Sequence, residues 1–365
     1  MRVLVLVNEE FDKLHGVRAR ELFLDFADDH DVAYVYRRDV RKLSALGRFC
    51  WHALRDARDV VYVEKFGYAG IVAALTAKAL RGSKMVVSNG DAVSAFARSR
   101  FSRPKALAAR ALEWAAQTSA DRLIVWGPYH RELLERRGCT GVEWIPGGVD
   151  TSRFRPLDAA TLRRRLGVEG RLTVGVIGSI NWNRRTEFCY GRDVLEVVRL
   201  LKDSPVAGII VGTGNGLAVL RDLAREYGIG DRVVMTGWVA HEELPEYVNA
   251  IDVCLSTQSN DLVGAVRITA KIPEYLACGR YIIASDVGGA RDFVRGSGTL
   301  IPIGAVADEN YLRRVAEHVQ TILDRPELLD KGRRGIDVAK REFDYAVLRP
   351  RLSALLNSLW PETRA

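Results

Sequence analysis

The stretch WIPGGVDTSRFRP, Trp144 to Pro156, divides the sequence into two halves of similar construction. Pro146, Gly147, Gly148 and Pro156 forbid a helix or strand running through it, before the helical pattern of Ala159 to Leu166 begins. On both sides, short β-branched runs alternate with longer segments of helical period, the pattern of a parallel sheet covered by helices. Before it the strand candidates are Val3–Val7, Val32–Tyr36, Val60–Val63, Lys84–Ser88 and Arg122–Trp126. After it they are Leu172–Ile177, Val206–Val211, Arg232–Thr236, Val253–Ser256, Tyr281–Ala284 and Thr299–Ile301. The stretch is therefore read as a hinge between two doubly wound α/β domains, about 1–155 and about 156–344. An apolar helical tail from about 345 to 365 is assigned to the first. Sheets of this class take ligands at the carboxyl ends of their strands, so chemistry is expected in a cleft where the two face one another.

Composition agrees with two cores. At 365 residues the chain exceeds what one core usually holds, and 48% apolar with 27% charged residues is a globular balance. No apolar run has the roughly 18 residues of a membrane span, and Met1 leads directly into a strand without a signal-peptide pattern. A cytoplasmic protein is expected. The five cysteines are scattered without a C-x-x-C pair and the six histidines form no ligand pair at helical spacing, so neither a disulfide framework nor a metal is expected. Asp29-His30-Asp31 spells D-x-D, but it lies at the amino end of a strand and reads as a turn. The net charge of +8 favours an anionic partner. Two basic runs interleaved with apolar residues, Arg37–Arg58 and Arg98–Arg110, fit either an ordinary solvated face or peripheral contact with an anionic inner-membrane surface. No nucleic-acid recognition motif accompanies them.

Three segments together resemble the family 4 retaining glycosyltransferases, the glycosyl transferases group 1 of the GT-B superfamily. Trp144–Pro156 resembles the interdomain signature I-P-N-G-V-D-x-x-x-F-x-P, with Gly147 in place of the asparagine. Ile209–Ser256 matches the family's strand, G-x-G turn, helix and strand, with Gly212, Gly214, Gly237, Leu244, Tyr247 and Asp252 in register. Ile268–Val294 resembles the donor-site pattern K-x-x-E-Y-x-A-x-G-x-P-V-I-A-S. A dinucleotide fingerprint is the rival reading of Gly212-Thr-Gly-Asn-Gly216, and it fails because Leu217 occupies the third glycine position.

The resemblance implies a GT-B fold and transfer of a sugar from a nucleotide-diphosphate donor, with retention and without metal or cofactor. It places Glu274 against the nucleotide ribose, where a carboxylate can accept from two vicinal hydroxyls. Backbone at Gly16, Gly178, Gly212 and Gly214 would face phosphate, helped by donors at the start of the helix after Gly216. Trp238 and Val239 correspond to the nucleobase contact. Two departures from the family pattern redirect other roles. Val266 stands where the common E-x7-E form has its first glutamate, leaving Lys271 to supply a polar contact or bind phosphate. In G-R-x5-K-G the chain has Gly178-Ser179 and Arg185-Thr186, so Arg185 is expected to stabilise the leaving phosphate, with Arg184, Arg267 and Lys271 nearby in the pattern. Asp91 stands where the family often carries His or Asp beside the reacting sugar, and a turn or helix cap is the other reading. Glu9 and Glu10 emerge at a strand end with nothing to distinguish them. A GT-B-type nucleotide-sugar epimerase and a donor-binding pseudoenzyme remain the alternatives. The acceptor stays open between a lipid-linked glycan and a soluble small molecule.

Overall fold

The computed structural model describes residues 1–38, 42–55, 58–184, 187–305 and 308–360. Among them two parallel six-stranded sheets account for every named strand. The first is built from β1 (Arg2–Val7), β2 (Asp31–Tyr36), β3 (Val60–Glu64), β4 (Lys84–Asn89), β5 (Arg122–Val125) and β6 (Val142–Trp144), in the order β2-β1-β3-β4-β5-β6. The second contains β7 (Leu172–Ile177), β8 (Val206–Val211), β9 (Val233–Gly237), β10 (Val253–Ser256), β11 (Tyr281–Ser285) and β12 (Gly298–Ile301), in the order β12-β11-β10-β7-β8-β9. Strand order reverses beside β1 in the first and beside β7 in the second. The carboxyl ends of β1 and β3, and of β7 and β10, are thus the topological switch points where such sheets hold ligands.

β6 was not among the expected strands. It spans three residues on the sheet edge with the pattern buried, exposed, half-buried, too short for a period to declare itself. β5 stops at Val125, so Trp126 begins the following loop.

The chain folds as two compact units. One comprises Met1–Gly148, Val266–Ile268 and Tyr345–Ala365, and the other Val149–Ala265 and Thr269–Asp344. The crossing between Gly148 and Val149 lies inside the stretch Trp144–Pro156. Val149 N–H donates to Phe343 O at 2.8 Å and Thr151 bonds to Asp344, so the rest of that segment packs with the second unit.

Strand alternation sets the cores. Leu4 and Leu6 enter one cluster with Phe49, Ile71 and Leu134, while Val3, Val5 and Val7 face another with Phe23, Tyr62 and Ile124. The helix Tyr345–Ser358 lays Leu348, Leu352, Leu355 and Leu356 into that second cluster, close to the helix Leu14–Phe23. Each fully buried leucine contributes about 1.5–3 kcal/mol, which explains how a chain end separated by the whole second unit is held on the first. In the second unit Val174, Val176, Ile210, Val253 and Ile283 line one face under Val194, Val197, Leu220 and Val315.

Candidate functional site

In the second unit the expected donor segments meet at the carboxyl ends of β7 and β8. β7 runs into Gly178 (φ 132°) and β8 into Gly212 (φ 136°) and Gly214 (φ 155°), backbone that side-chain-bearing residues rarely adopt. A Cβ on Gly212 would stand 1.8 Å from Gly178 O, and one on Gly214 would stand 2.2 Å from Ile180 O. The two loops therefore touch backbone to backbone. Gly212 N–H donates to Gly237 O, and Gly216 N–H donates to Ile180 O. This revises the expectation of free donors there: the amides of Gly212 and Gly216, and that of Leu217 bonded to Gly214 O, are engaged within the loops.

Lys271 opens the helix Lys271–Ala277, and its side chain is buried. A Cβ on Gly178 would lie 3.9 Å from Lys271 Nζ, which places the ammonium beside the end of β7. Nζ sits 3.2 Å from the centroid of the Tyr190 ring, a cation–π contact. Tyr190 in turn accepts from Gln258 Nε2 at 3.1 Å. Fully buried Asp193 accepts from Thr257 Oγ1 at 2.7 Å and from the amides of Gly191 and Val194. Burial raises its carboxyl above the ordinary value, against the pull of Thr257 and Lys271. Tyr190, Asp193 and Gln258 carry no sequence signal of their own, because two separate segments, the start of the helix Arg192–Leu200 and the loop after β10, bring them to Lys271.

Glu274 follows one helical turn after Lys271. It is half-buried, and its carboxylate has no hydrogen-bond partner among the described residues. Burial pushes it up from 4.5 to about 8, with Lys271 pulling the other way. Trp238, beyond β9, is 69% exposed, and Val239 is half-buried. Arg184 is exposed in the loop after β7; Arg185 and Thr186 lie outside the described residues.

In the first unit, Asp91 follows β4 in a turn closed by Asn89, whose Oδ1 accepts from Asp91 N–H at 3.1 Å. Its carboxylate receives Arg267 Nε at 2.7 Å and Nη2 at 2.6 Å. Two expected site residues, separated by 176 positions, thus form one ion pair. Arg267 belongs to the short Val266–Ile268 segment carried with the first unit, and Val266 is buried there. Gly16 lies in the helix Leu14–Phe23, where a Cβ would meet Glu10 O and Phe11 O at 2.4 Å.

Sequence reasoning missed a charged cluster at the β1/β3 switch point. Arg18 is fully buried, and its Nη1 donates to Glu64 Oε2 at 2.6 Å and to Ser88 Oγ at 3.1 Å. Its Nη2 donates to Ile145 O at 2.8 Å. Glu64, the last residue of β3, also receives Tyr62 Oη–H at 3.0 Å and contacts His15 Nδ1 at 2.8 Å. Burial works to raise the Glu64 carboxyl, but Arg18, His15 and Tyr62 together hold it below its ordinary range. A charged residue closing the otherwise apolar run VVYVE was the available signal.

Trp126 packs against this cluster. Its ring lies 4.8 Å from the Arg18 guanidinium and 5.1 Å from the His15 ring. Cβ atoms on Gly90 and Gly147 would approach the indole to 2.7 and 3.2 Å. Gly147 thus makes room for Trp126 at the position where the hinge signature carries asparagine. Among the described residues no group of three or more His, Cys, Asp or Glu is arranged to hold a metal, and no helix is long and apolar enough to cross a membrane.

Residues 171–325 match the family model described as "Glycosyl transferases group 1". The GDP-mannose-dependent alpha-(1-6)-phosphatidylinositol monomannoside mannosyltransferase of Mycobacterium tuberculosis is 32% identical over 226 residues, 59% of this chain and 55% of that protein. The D-inositol 3-phosphate glycosyltransferase of Geodermatophilus obscurus is 32% identical over 232 residues, 59% of this chain and 48% of that one. The chain spans about half the length of these curated relatives. Among solved structures, Anabaena Alr3699/HepE in complex with UDP superposes with a TM-score of 0.77 at 17% identity, covering 98% of this chain and all of that one. Sucrose-phosphate synthase of Thermosynechococcus elongatus gives 0.78 at 18% identity, covering 99% of each.

Proposed function

We propose that this chain, whose residues 171–325 match the group 1 glycosyltransferase model and whose fold is GT-B, moves a sugar from a nucleotide-diphosphate donor to a hydroxyl-bearing acceptor. The proposed transfer retains anomeric configuration and needs no metal. One observation carries the donor half of this reading: Glu274, a half-buried carboxylate without a hydrogen-bond partner among the described residues, lies one turn from a lysine whose ammonium sits at the end of β7. A carboxylate so placed is suited to two vicinal ribose hydroxyls, and a buried ammonium at a switch point is suited to a pyrophosphate. In this account Glu274 binds the ribose and Lys271 the phosphates. Arg185 is assigned to the leaving phosphate by its place in the family pattern. Catalysis comes from holding donor and acceptor together and from stabilising the charge that develops on the departing phosphate.

The relatives' names supply one donor, GDP-mannose, and two acceptors, a phosphatidylinositol monomannoside and D-inositol 3-phosphate, for comparison. An anionic or lipid-linked acceptor suits the first unit's basic face. Arg98, Arg100, Arg103 and Arg110 lie on or beside a helix, Arg103–Ser119, that also exposes Leu107 and Trp114. We assign this face to peripheral contact with an anionic membrane.

Calorimetric titration with nucleoside diphosphates and their sugar conjugates, in the presence of a chelator, tests the reading. Selective binding of one nucleotide that is lost in Glu274→Ala is the expected result. Failure of folded protein to bind every member would overturn it.

A further inference from the structure

The cluster beneath the first sheet's switch point has a cost that its contribution to stability does not explain. Arg18 and Glu64 are both wholly buried, and desolvating such a pair commonly cancels its mutual attraction. What the pair does is fix a charged carboxylate against His15. With Glu64 held below its ordinary range, Oε1 is an acceptor, so His15 Nδ1 carries the proton and donates at 2.8 Å. The other nitrogen, Nε2, is then an acceptor in the neutral ring, and it has no hydrogen-bond partner among the described residues.

Three further contacts surround His15. His15 N–H donates to Glu9 Oε2 at 3.0 Å, Glu9 Oε1 is bound by Lys65 Nζ, and Trp126 lies against the imidazole. Lys65 occupies the left-handed region (φ 65°) that favours glycine, and Asn8 Nδ2 donates to its carbonyl at 2.7 Å. The histidine side chain keeps 13% of its exposure. Beside it, Trp126 Nε1 is buried with no acceptor among the described residues. The imidazole acceptor left unmatched is suited to a substrate hydroxyl, which can donate to it. Glu9, His15, Glu64 and Lys65 all cluster at the carboxyl ends of β1 and β3, where the strand order reverses.

We propose that His15, oriented by the Arg18–Glu64 pair, binds the sugar acceptor by accepting a hydrogen bond from one of its hydroxyls at Nε2. The assignment rests on the glycosyltransferase reading and deepens it, since it names the residue of the first unit that meets the acceptor. Glu64 and Arg18 are positioning residues that act through the imidazole.

His15→Asn and His15→Ala separate this role from a structural one. Asparagine can still donate to Glu64 from its shorter amide, but it presents nothing where Nε2 was. Steady-state transfer, with donor and acceptor varied separately, is measured alongside calorimetric donor binding and thermal unfolding. Both variants are expected to lose about tenfold or more in kcat/KM for the acceptor, the worth of one substrate hydrogen bond, while donor affinity stays within about twofold. Wild-type transfer in His15→Asn with loss only in His15→Ala would overturn the proposal, leaving His15 as a prop for Glu64. A parallel fall in donor affinity would also overturn it, moving the contact to the donor. A wild-type protein that binds no nucleotide sugar would refute the parent reading, and the acceptor role would fall with it.

Discussion

Binding of a nucleotide sugar should expel a proton from Glu274. The carboxyl is pushed up to about 8 by burial, so at pH 7 about 0.9 of the molecules carry it protonated, and at pH 8.5 about 0.2. To accept from both ribose hydroxyls it must ionise, so those fractions are the protons released per ligand bound. Ionisation is also a cost to affinity: binding should strengthen about eightfold between pH 7 and pH 8.5. Stability runs the opposite way with pH. A carboxyl raised above its unfolded value contributes stability that is complete below about 4.5 and is lost as pH rises through about 8. The assay is calorimetry in two buffers of different ionisation enthalpy, using a sugar conjugate because its pyrophosphate does not titrate near neutrality. Glu274→Gln should abolish the buffer dependence and flatten affinity against pH. Identical heats in both buffers at pH 7, or equal proton release by wild type and Glu274→Gln, would refute the ribose assignment.

Four further outcomes follow from the packing and the charges. Gly212→Ala should lower the stability of the second unit by about 3 kcal/mol or more, read by denaturant unfolding, since its Cβ would stand 1.8 Å from Gly178 O on backbone at φ 136°. Leu352→Ala should cost about 2–5 kcal/mol, because the terminal helix is held on the first unit by wholly buried leucines; a change below 1 kcal/mol would mean that helix is not packed there. Glu64→Gln should cost about 3–5 kcal/mol, leaving Arg18 buried without its counter-charge, and unchanged unfolding would contradict the buried pair. Replacing Arg98, Arg100 and Arg103 together by serine should reduce sedimentation with anionic liposomes, while equal sedimentation would return that face to an ordinary solvated surface.

The architecture was legible because parallel strands buried on both faces write themselves as unbroken apolar runs. β7, β8 and β10 begin and end where Leu172–Ile177, Val206–Val211 and Val253–Ser256 do. β6 was invisible for want of length. At the site, legibility depended on whether a role is written in one local segment. Glu274 and Lys271 stand three residues apart, so their pattern could be read, but the Tyr190 ring under the ammonium could not. Asp91 and Arg267 were singled out for separate duties, and nothing in a linear chain announces that they pair. Arg18 and Glu64 lie 46 positions apart, and each passes for a surface charge until the fold buries both. The glycines were read as phosphate-facing backbone, and the backbone contact between their loops leaves no trace in sequence beyond the missing side chain.

The central claim is transfer itself, and product analysis tests it most directly. The protein would be incubated with the nucleotide sugar it binds and with inositol phosphates and anionic lipid extracts. Nucleoside diphosphate and acceptor masses would then be followed together. The account predicts one nucleoside diphosphate released for each acceptor that gains the mass of one sugar, with the anomeric configuration of the donor kept in the product. Donor that is bound but never consumed, or altered in its sugar with no acceptor product, would contradict it.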